Sequence, residues 1–457
     1  MLESLIEFLP LTMFIVLIPL LFSGFPVAFV LGGVGLGFWL LAVALGVVND
    51  HSFLLVVSRI HGGIVNNLVL VAIPMFIFMG TMMEKSGIAR DLLNTLQLLL
   101  RRVPGGLALS VVFLGVIMAA TTGIIGASVV MMTLLALPVM RDQKYDLPLA
   151  TGTIAASGTL GILIPPSIML VVMGNLLSVP IGTLFVAALM PGLMLAILYV
   201  AYIIIYSKLN PEHAPALPKD ESMGKAEYLT LILKSLVPPM LLIMLVLGSI
   251  FAGVATPTEA SGIGALGAII LAYFKGNLSF KTLKEVSEHS ALTGAMLFGI
   301  FVGATAFSYV FALLGGHDLI VRGVEIFNIG PWSVLAAIMI TVFILGFFFD
   351  WIQITLIVLP VFAPIISGLD FGSHVAYPEM GLVWFAILVA VNLQTSFLTP
   401  PFGFALFYMK GAAPAEVKIS HIYKGIIPFI LLQLLGLGAI LLWPNIALWL
   451  PHTLGVQ

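Results

Sequence analysis

The chain has 457 residues, 61% of them hydrophobic and 8% charged, with a formal net charge of −2 and a mean hydropathy of +1.20. No soluble domain of this size presents such a composition to water, so the chain reads as an all-α polytopic membrane protein. The lack of cysteine excludes disulfides, thiolate metal sites and cysteine nucleophiles, and the charge balance argues against a nucleic-acid partner.

The amino terminus carries Glu3 and Glu7 and no Lys or Arg before Arg59. It therefore lacks the basic start of a cleavable signal peptide, and the first span is expected to be retained. A crossing helix needs about 20 apolar residues; the charge-free stretches 8–49, 103–140, 147–207 and 235–258 exceed that. About ten to twelve crossings are expected. Residues 1–87 supply the first scaffold helices, with Arg59 and His61 snorkelling or lipid-facing and Asn66 and Asn67 at the entrance of a span.

The segment "IARDLLNTLQLLLRR" (88–102) mixes apolar and charged residues at helical spacing and predicts a helix lying in the interface as an arm. The stretch 103–141 is too long for one crossing and is bracketed by Arg101, Arg102, Arg141 and Lys144, so it predicts a hairpin with both ends cytoplasmic. Its tip, "AATTGIIGAS" (119–128), allows a tight reversal and offers the hydroxyls of Thr121 and Thr122 beside Gly123. A broken helix follows over 147–175, where "SGTLGILIPPS" interrupts an apolar run, and then a helix over 181–206.

The polar stretch 207–228 predicts a cytoplasmic linker. Beyond it come scaffold helices over 229–315, with Pro238-Pro239 structural and Glu259 of "TPTEASG" stabilising a helix amino terminus. A second arm covers 317–329, and a second hairpin 331–366 with Gly346 at its bend and Asp350 beyond. A second broken helix covers 378–410, marked by "NLQTSFLTPPF", and a last helix 422–443.

This order repeats. Pro26 and Gly33 lie on Pro257 and Gly264; Asp91, Leu92 and Pro104 on Asp318, Leu319 and Pro331; "TLLALPV" (133–139) on "TLIVLPV" (355–361); and the Pro165 pair on the Pro400 pair. Four matches in one order indicate duplication. The second hairpin is followed by 367–379 with no Lys or Arg, so it enters from outside. Lys208, Lys219, Lys225, Lys275, Lys281, Lys284, Lys410, Lys418 and Lys424 fall at cytoplasmic turns. The halves, 1–206 and 229–457, are therefore inverted, each with one re-entrant hairpin and one broken helix. This architecture suits alternating access.

Non-helical backbone is tolerated at membrane depth only where protein or a watery cavity satisfies it. Unwound carbonyls and helix ends make oxygen cages for small cations. Ser157, Gly158, Gly161 and Pro165 are one such break, facing Thr121, Thr122 and Gly123; Gln394, Thr395, Ser396, Thr399 and Pro400 are the other, facing Gly346. Oxygen ligands without a carboxylate cluster favour a monovalent hard cation, sodium, with two or more ions bound. Asp350 is the sharpest single residue, since a carboxylate in a re-entrant hairpin is costly and usually functional; its alternative is a cap for the helix starting at Trp351.

The runs "TPTEASGIGALGA", "LGFFFDWIQITLIVLPVFAPI", "GTLGILIPPSIMLVVMG" and "NLQTSFLTPPFGFALFYMKG" resemble the large membrane subunit of TRAP (tripartite ATP-independent periplasmic) transporters, DctM-like, over nearly the whole chain. The resemblance implies a sodium-driven, elevator-type secondary transporter in the bacterial cytoplasmic (inner) membrane, not an enzyme. It also implies two partners: a small four-helix membrane subunit, and a periplasmic substrate-binding protein that delivers an organic acid. By position, the two tips with their breaks resemble two sodium sites, and the substrate lies between them, near Thr122, Gly123, Ser157, Asp350, Thr395 and Ser396. Where many family members have a serine-rich first tip, this chain has "TTGIIG", with Ile124 and Ile125 in place of hydroxyls. With no arginine near the tips, a carboxylate substrate relies on sodium, backbone N–H groups and hydroxyls, and so binds cooperatively with the ion. A stand-alone divalent-anion/sodium symporter of similar fold differs in needing no binding protein; an ion channel differs in conducting without saturation.

Overall fold

The computed structural model describes residues 7–122, 125–216, 224–326 and 330–455, without the side chains of 119–122, 225 and 324. Among these the chain is helical, with no strand. A helix meets its own backbone hydrogen bonds, which hydrocarbon requires. The first half runs α1 (Leu9–Leu21), α2 (Val27–Ala44), α3 (Leu54–Ile60), α4 (Ala72–Lys85), α5 (Ile88–Leu100), α6 (Gly106–Thr122), α7 (Ile125–Asp142), α8 (Leu147–Thr159), α9 (Ile168–Leu177) and α10 (Ile181–Leu209). The second runs α11 (Lys225–Ser235), α12 (Val237–Phe251), α13 (Pro257–Phe274), α14 (Phe280–Leu313), α15 (Gly316–Ile326), α16 (Pro331–Leu345), α17 (Trp351–Ser367), α18 (Gly381–Ser396), α19 (Phe404–Ala412), α20 (Ile419–Leu442) and α21 (Asn445–Leu454).

Nine helical stretches among the described residues are long and apolar enough to cross a membrane, fewer than the ten to twelve expected. The difference lies in α1 and in α6, α8, α9, α16 and α17, which are apolar but only 10–17 residues long. Such lengths fit the arms of hairpins and the halves of broken helices rather than full crossings. The order from α5 to α10 recurs from α15 to α20: a short amphipathic helix, two helices of a hairpin, two halves of a broken helix, a long helix. On α5 the apolar face (Ile88, Ala89, Leu92, Leu93, Leu96) is buried.

Helices sort by packing into two groups. In one, α2 lies on α14 and α4 on α13 and α14. In the other, α8 is packed by both helices of the first hairpin and by α20, while α18 is packed by the second hairpin and α20. The α8–α20 contact is backbone on backbone: a Cβ on Gly152 would strike the Gly425 carbonyl, and one on Gly425 the Pro148 carbonyl. Small residues let helices approach this closely where lipid supplies no hydrophobic drive.

Helix starts follow local chemistry. The Glu259 carboxylate accepts from Thr256 N and Oγ1, both at 2.8 Å, while Thr256 Oγ1 accepts from Glu259 N at 3.3 Å, forming a capping box for α13. Pro238 and Pro239 occupy the first turn of α12, where missing N–H groups cost little. Arg59 is exposed but its guanidinium stacks over the Tyr309 ring, 4.9 Å from the centroid, so it is fixed on α14 by a cation–π contact rather than free in lipid. Asn67 caps the turn Leu68–Val71 and also donates from Nδ2 to Asn175 Oδ1 at 2.5 Å, tying this entrance to α9.

Two segments differ from the sequence-based expectation. The start of the linker is docked on the helices: Gly105 N donates to Ala214 O at 3.1 Å and Asp146 N to His213 O at 2.9 Å, with Ala214 fully buried. Donors at the starts of α6 and α8 have no partner within their helices, and linker carbonyls satisfy them. Beyond residue 443, where the last helix was expected to end, α21 packs back on α10, and Tyr377 stacks on His452 with ring centroids 3.9 Å apart.

Candidate functional site

In the first half, α8 ends at Thr159, a tight turn covers Leu160–Ile162, and α9 starts only at Ile168. Between them the Pro165-Pro166 bond is cis. The gap is stitched locally: Leu163 N and Ile164 N donate to Leu160 O at 3.1 and 3.0 Å, and Ser167 Oγ donates to Ile162 O at 2.6 Å. Residues 151–174 are all buried, including Ser157, Gly158, Gly161 and Pro165. Among the described residues Ser157 Oγ makes no hydrogen bond of good geometry, although fully buried.

The second break has the same construction. The helix α18 ends at Ser396, the Pro400-Pro401 bond is cis, and α19 starts at Phe404. Three hydroxyls donate to their own backbone at 2.8 Å: Thr395 Oγ1 to Val391 O, Ser396 Oγ to Leu393 O, and Thr399 Oγ1 to Thr395 O. A hydroxyl whose proton is committed this way presents only lone pairs to its other side, the character of a cation ligand. Gly403 lets the chain pass where a Cβ would meet the Phe397 and Thr399 carbonyls, at 2.7 and 3.1 Å.

Each break lies against its own hairpin. Ser157 touches Gly115 of α6, where a Cβ would come within 2.8 Å of the serine Cβ. In the equivalent position Asn392 Nδ2 donates to Met339 O of α16 at 2.7 Å. At the second tip, Gly346 ends α16, and a Cβ there would collide with Ser396 Oγ. At the first tip, Thr121 and Thr122 close α6 but their side chains, and Gly123 altogether, lie outside the described residues. The far halves cross over: α9 packs on α17 of the second hairpin, and α19 on α7 of the first.

Asp350 is the amino-terminal cap of α17, its Oδ1 accepting from Trp351 N at 2.8 Å. The Tyr408 ring, on α19, lies against Gly126 at the start of α7. Tyr408 therefore ties the far half of the second break to the first hairpin. No cluster of three or more His, Asp or Glu side chains suited to a metal occurs among the described residues. Lys410, the one cation of α19, donates to Val417 O at 2.7 Å, away from the tips.

With this geometry in place, the chain matches, over residues 14–446, the family described as "Tripartite ATP-independent periplasmic transporter, DctM component". The chain belongs to that family. It is a multi-pass protein of the inner membrane.

It is 30% identical to the ectoine/5-hydroxyectoine TRAP transporter large permease of Ruegeria pomeroyi, covering 96% of this chain and 98% of that one. It is 29% identical to the C4-dicarboxylate TRAP transporter large permease of Pseudomonas aeruginosa (85% and 87% covered). To the sialic acid TRAP transporter large permease of Vibrio cholerae it is 27% identical (95% and 96% covered). Among solved structures, the YdaH transporter of Alcanivorax borkumensis shares the fold, with a TM-score of 0.58 over 89% of this chain and 90% of that one at 14% identity.

Two residues of this region escaped the sequence reading. Tyr408 sits inside a quoted motif, but nothing in its spacing says that the ring reaches the other half's hairpin. Thr159 had a signal: it is the repeat mate of Gln394, each standing six residues before its Pro-Pro pair.

Proposed function

We propose that this DctM-family permease imports an organic acid together with sodium, the acid being handed over by a periplasmic binding protein and the permease working beside a small membrane subunit. The observation that carries the reading is the pair of breaks. At mirrored positions of the repeat, buried helix ends and hydroxyls gather beside a hairpin, with no carboxylate cluster among the described residues. Neutral oxygen ligands suit a weakly polarising monovalent ion better than a divalent one, which recruits several carboxylates. Ser157, Gly158, Gly161 and Pro165 with the first tip would hold one ion. Thr395, Ser396, Thr399, Pro400 and Gln394 with Gly346 would hold the other.

The substrate lies between the tips, near Asp350, Tyr408, Ser157, Thr395 and Ser396. The compounds named for the three relatives, ectoine, C4-dicarboxylates and sialic acid, all carry a carboxylate. With no lysine or arginine aimed at the tips among the described residues, sodium offsets that charge. Substrate and ion binding are then mutually favourable, and reciprocally so.

Movement is proposed to be of the elevator type, the hairpins and broken helices sliding against the α2–α4 and α12–α14 group. A half-open crevice of about 290 Å³ between α1, the end of α14, α15 and the second hairpin supports this, since its lining (Leu11, Phe14, Leu17, Phe311, Ile354 and Phe362 among others) is apolar but for Thr341. Such a boundary holds no directional bonds to break during sliding.

The test is uptake into liposomes holding the permease with its small subunit, with the binding protein added outside. Uptake is expected to need an inward sodium gradient and the loaded binding protein. Uptake persisting in sodium-free medium under a proton gradient alone would overturn the sodium assignment. Uptake without the binding protein would favour a stand-alone symporter.

A further inference from the structure

Thr159 and Gln394, equivalent in the two repeats, meet in the fold. Gln394 Nε2 lies 3.5 Å from Thr159 Oγ1, both side chains being fully buried. The threonine hydroxyl donates to Ala156 O at 2.9 Å, so toward the glutamine it acts as acceptor. Behind this pair stand Tyr199 of α10 and Gln433 of α20, each on the long helix that follows its break and each fully buried. The Tyr199 hydroxyl lies on the face where α10 packs on both α18 and α20, near both glutamine amides, and it makes no hydrogen bond of good geometry among the described residues. Neither amide group of Gln433 nor Gln394 Oε1 finds a hydrogen bond of good geometry elsewhere among the described residues.

Four polar side chains from four helices, two from each repeat, thus converge between the two breaks in an apolar interior. A buried amide without full pairing is costly, and an aliphatic residue of equal size would avoid that cost. The cluster's position explains what that cost supports. Gln394 directly precedes Thr395 and Ser396; Thr159 follows Ser157 and Gly158.

We propose that the Thr159–Gln394–Tyr199–Gln433 cluster is a coupling element, fixing the register of one break against the other so that filling one cation site raises the affinity of the second. This rests on the sodium reading above. Thr159, Tyr199 and Gln433 are positioning residues in this scheme; they act through the hydroxyls and carbonyls of the breaks.

The experiment is equilibrium binding of radiolabelled sodium to the purified permease complex, wild type against Tyr199→Phe, Gln433→Met, Thr159→Val and Thr159→Ser. Wild type is expected to bind with a Hill coefficient above one. Tyr199→Phe, Gln433→Met and Thr159→Val are expected to fall to about 1, as for sites that fill independently, whereas Thr159→Ser keeps the hydroxyl and the wild-type value. A merely structural role would lower yield and melting temperature without moving the Hill coefficient. Should Gln433→Met fail to fold, Tyr199→Phe and the Thr159 pair decide. Folded variants with a wild-type Hill coefficient overturn the coupling, as does a wild-type Hill coefficient of about 1. Absence of sodium binding in wild type sinks the sodium reading and the coupling with it.

Discussion

Asp350 caps α17, and substitutions separate that structural duty from the role proposed for its charge. As the cap of α17 it tolerates Asn, which caps as well, but Asp350→Ala is expected to cost about 1 kcal/mol. Its charge is what Asn removes. Asp350→Asn is therefore expected to keep the melting temperature of wild type while lowering sodium-driven uptake; full uptake by this variant would reduce Asp350 to a cap alone. Gly346 offers a sharper probe, because any Cβ there runs into Ser396 Oγ. Over-packing of this kind costs about 1–3 kcal/mol, so Gly346→Ala is expected to weaken sodium half-saturation by roughly tenfold. A sodium titration of uptake checks it.

At the scale of elements, the two broken helices owe their shape to residues that cannot continue a helix and to hydroxyls that re-satisfy the freed backbone. Ser167 holding Ile162 O and Thr399 holding Thr395 O do the same work on opposite sides of the repeat. The scaffold for both breaks is the α8–α20 contact, where backbone meets backbone at Gly152 and Gly425. Gly425→Val is expected to destabilise the folded permease by at least about 1–3 kcal/mol, read as a lower melting temperature in detergent with a matching loss of folded protein. A substitution on the lipid-facing side of α20, such as Leu435→Val, is expected to leave melting unchanged, since Leu435 is 60% exposed. The capping box at Thr256 and Glu259 belongs here too: Thr256→Val is expected to cost about 1 kcal/mol of stability without altering sodium dependence.

At the scale of the whole molecule, the repeat supplies two equivalent breaks, and packing brings them together. The far half of each broken helix, α9 or α19, lies on the hairpin of the opposite repeat, so neither half of the chain builds its part of the site alone. Removal of sodium from both sides of a proteoliposome is accordingly expected to abolish uptake outright rather than halve it, measured as initial rate against external sodium.

The sequence by itself determined the class and the order of parts. Composition required a membrane, hydrophobic run lengths placed the hairpins, and Gly, Pro and hydroxyl-bearing residues marked both breaks, because each of these is a local property of neighbouring residues. What only the tertiary structure decided concerns residues far apart in the chain. The docking of His213 and Ala214 on the starts of α8 and α6, the stacking of Arg59 on Tyr309, the reach of Tyr408 to Gly126, and the meeting of Thr159 with Gln394 all depend on which helix faces which. In a chain so uniformly apolar, hydrophobicity does not distinguish one helix face from another. Only close packing and the pairing of buried polar groups make that choice.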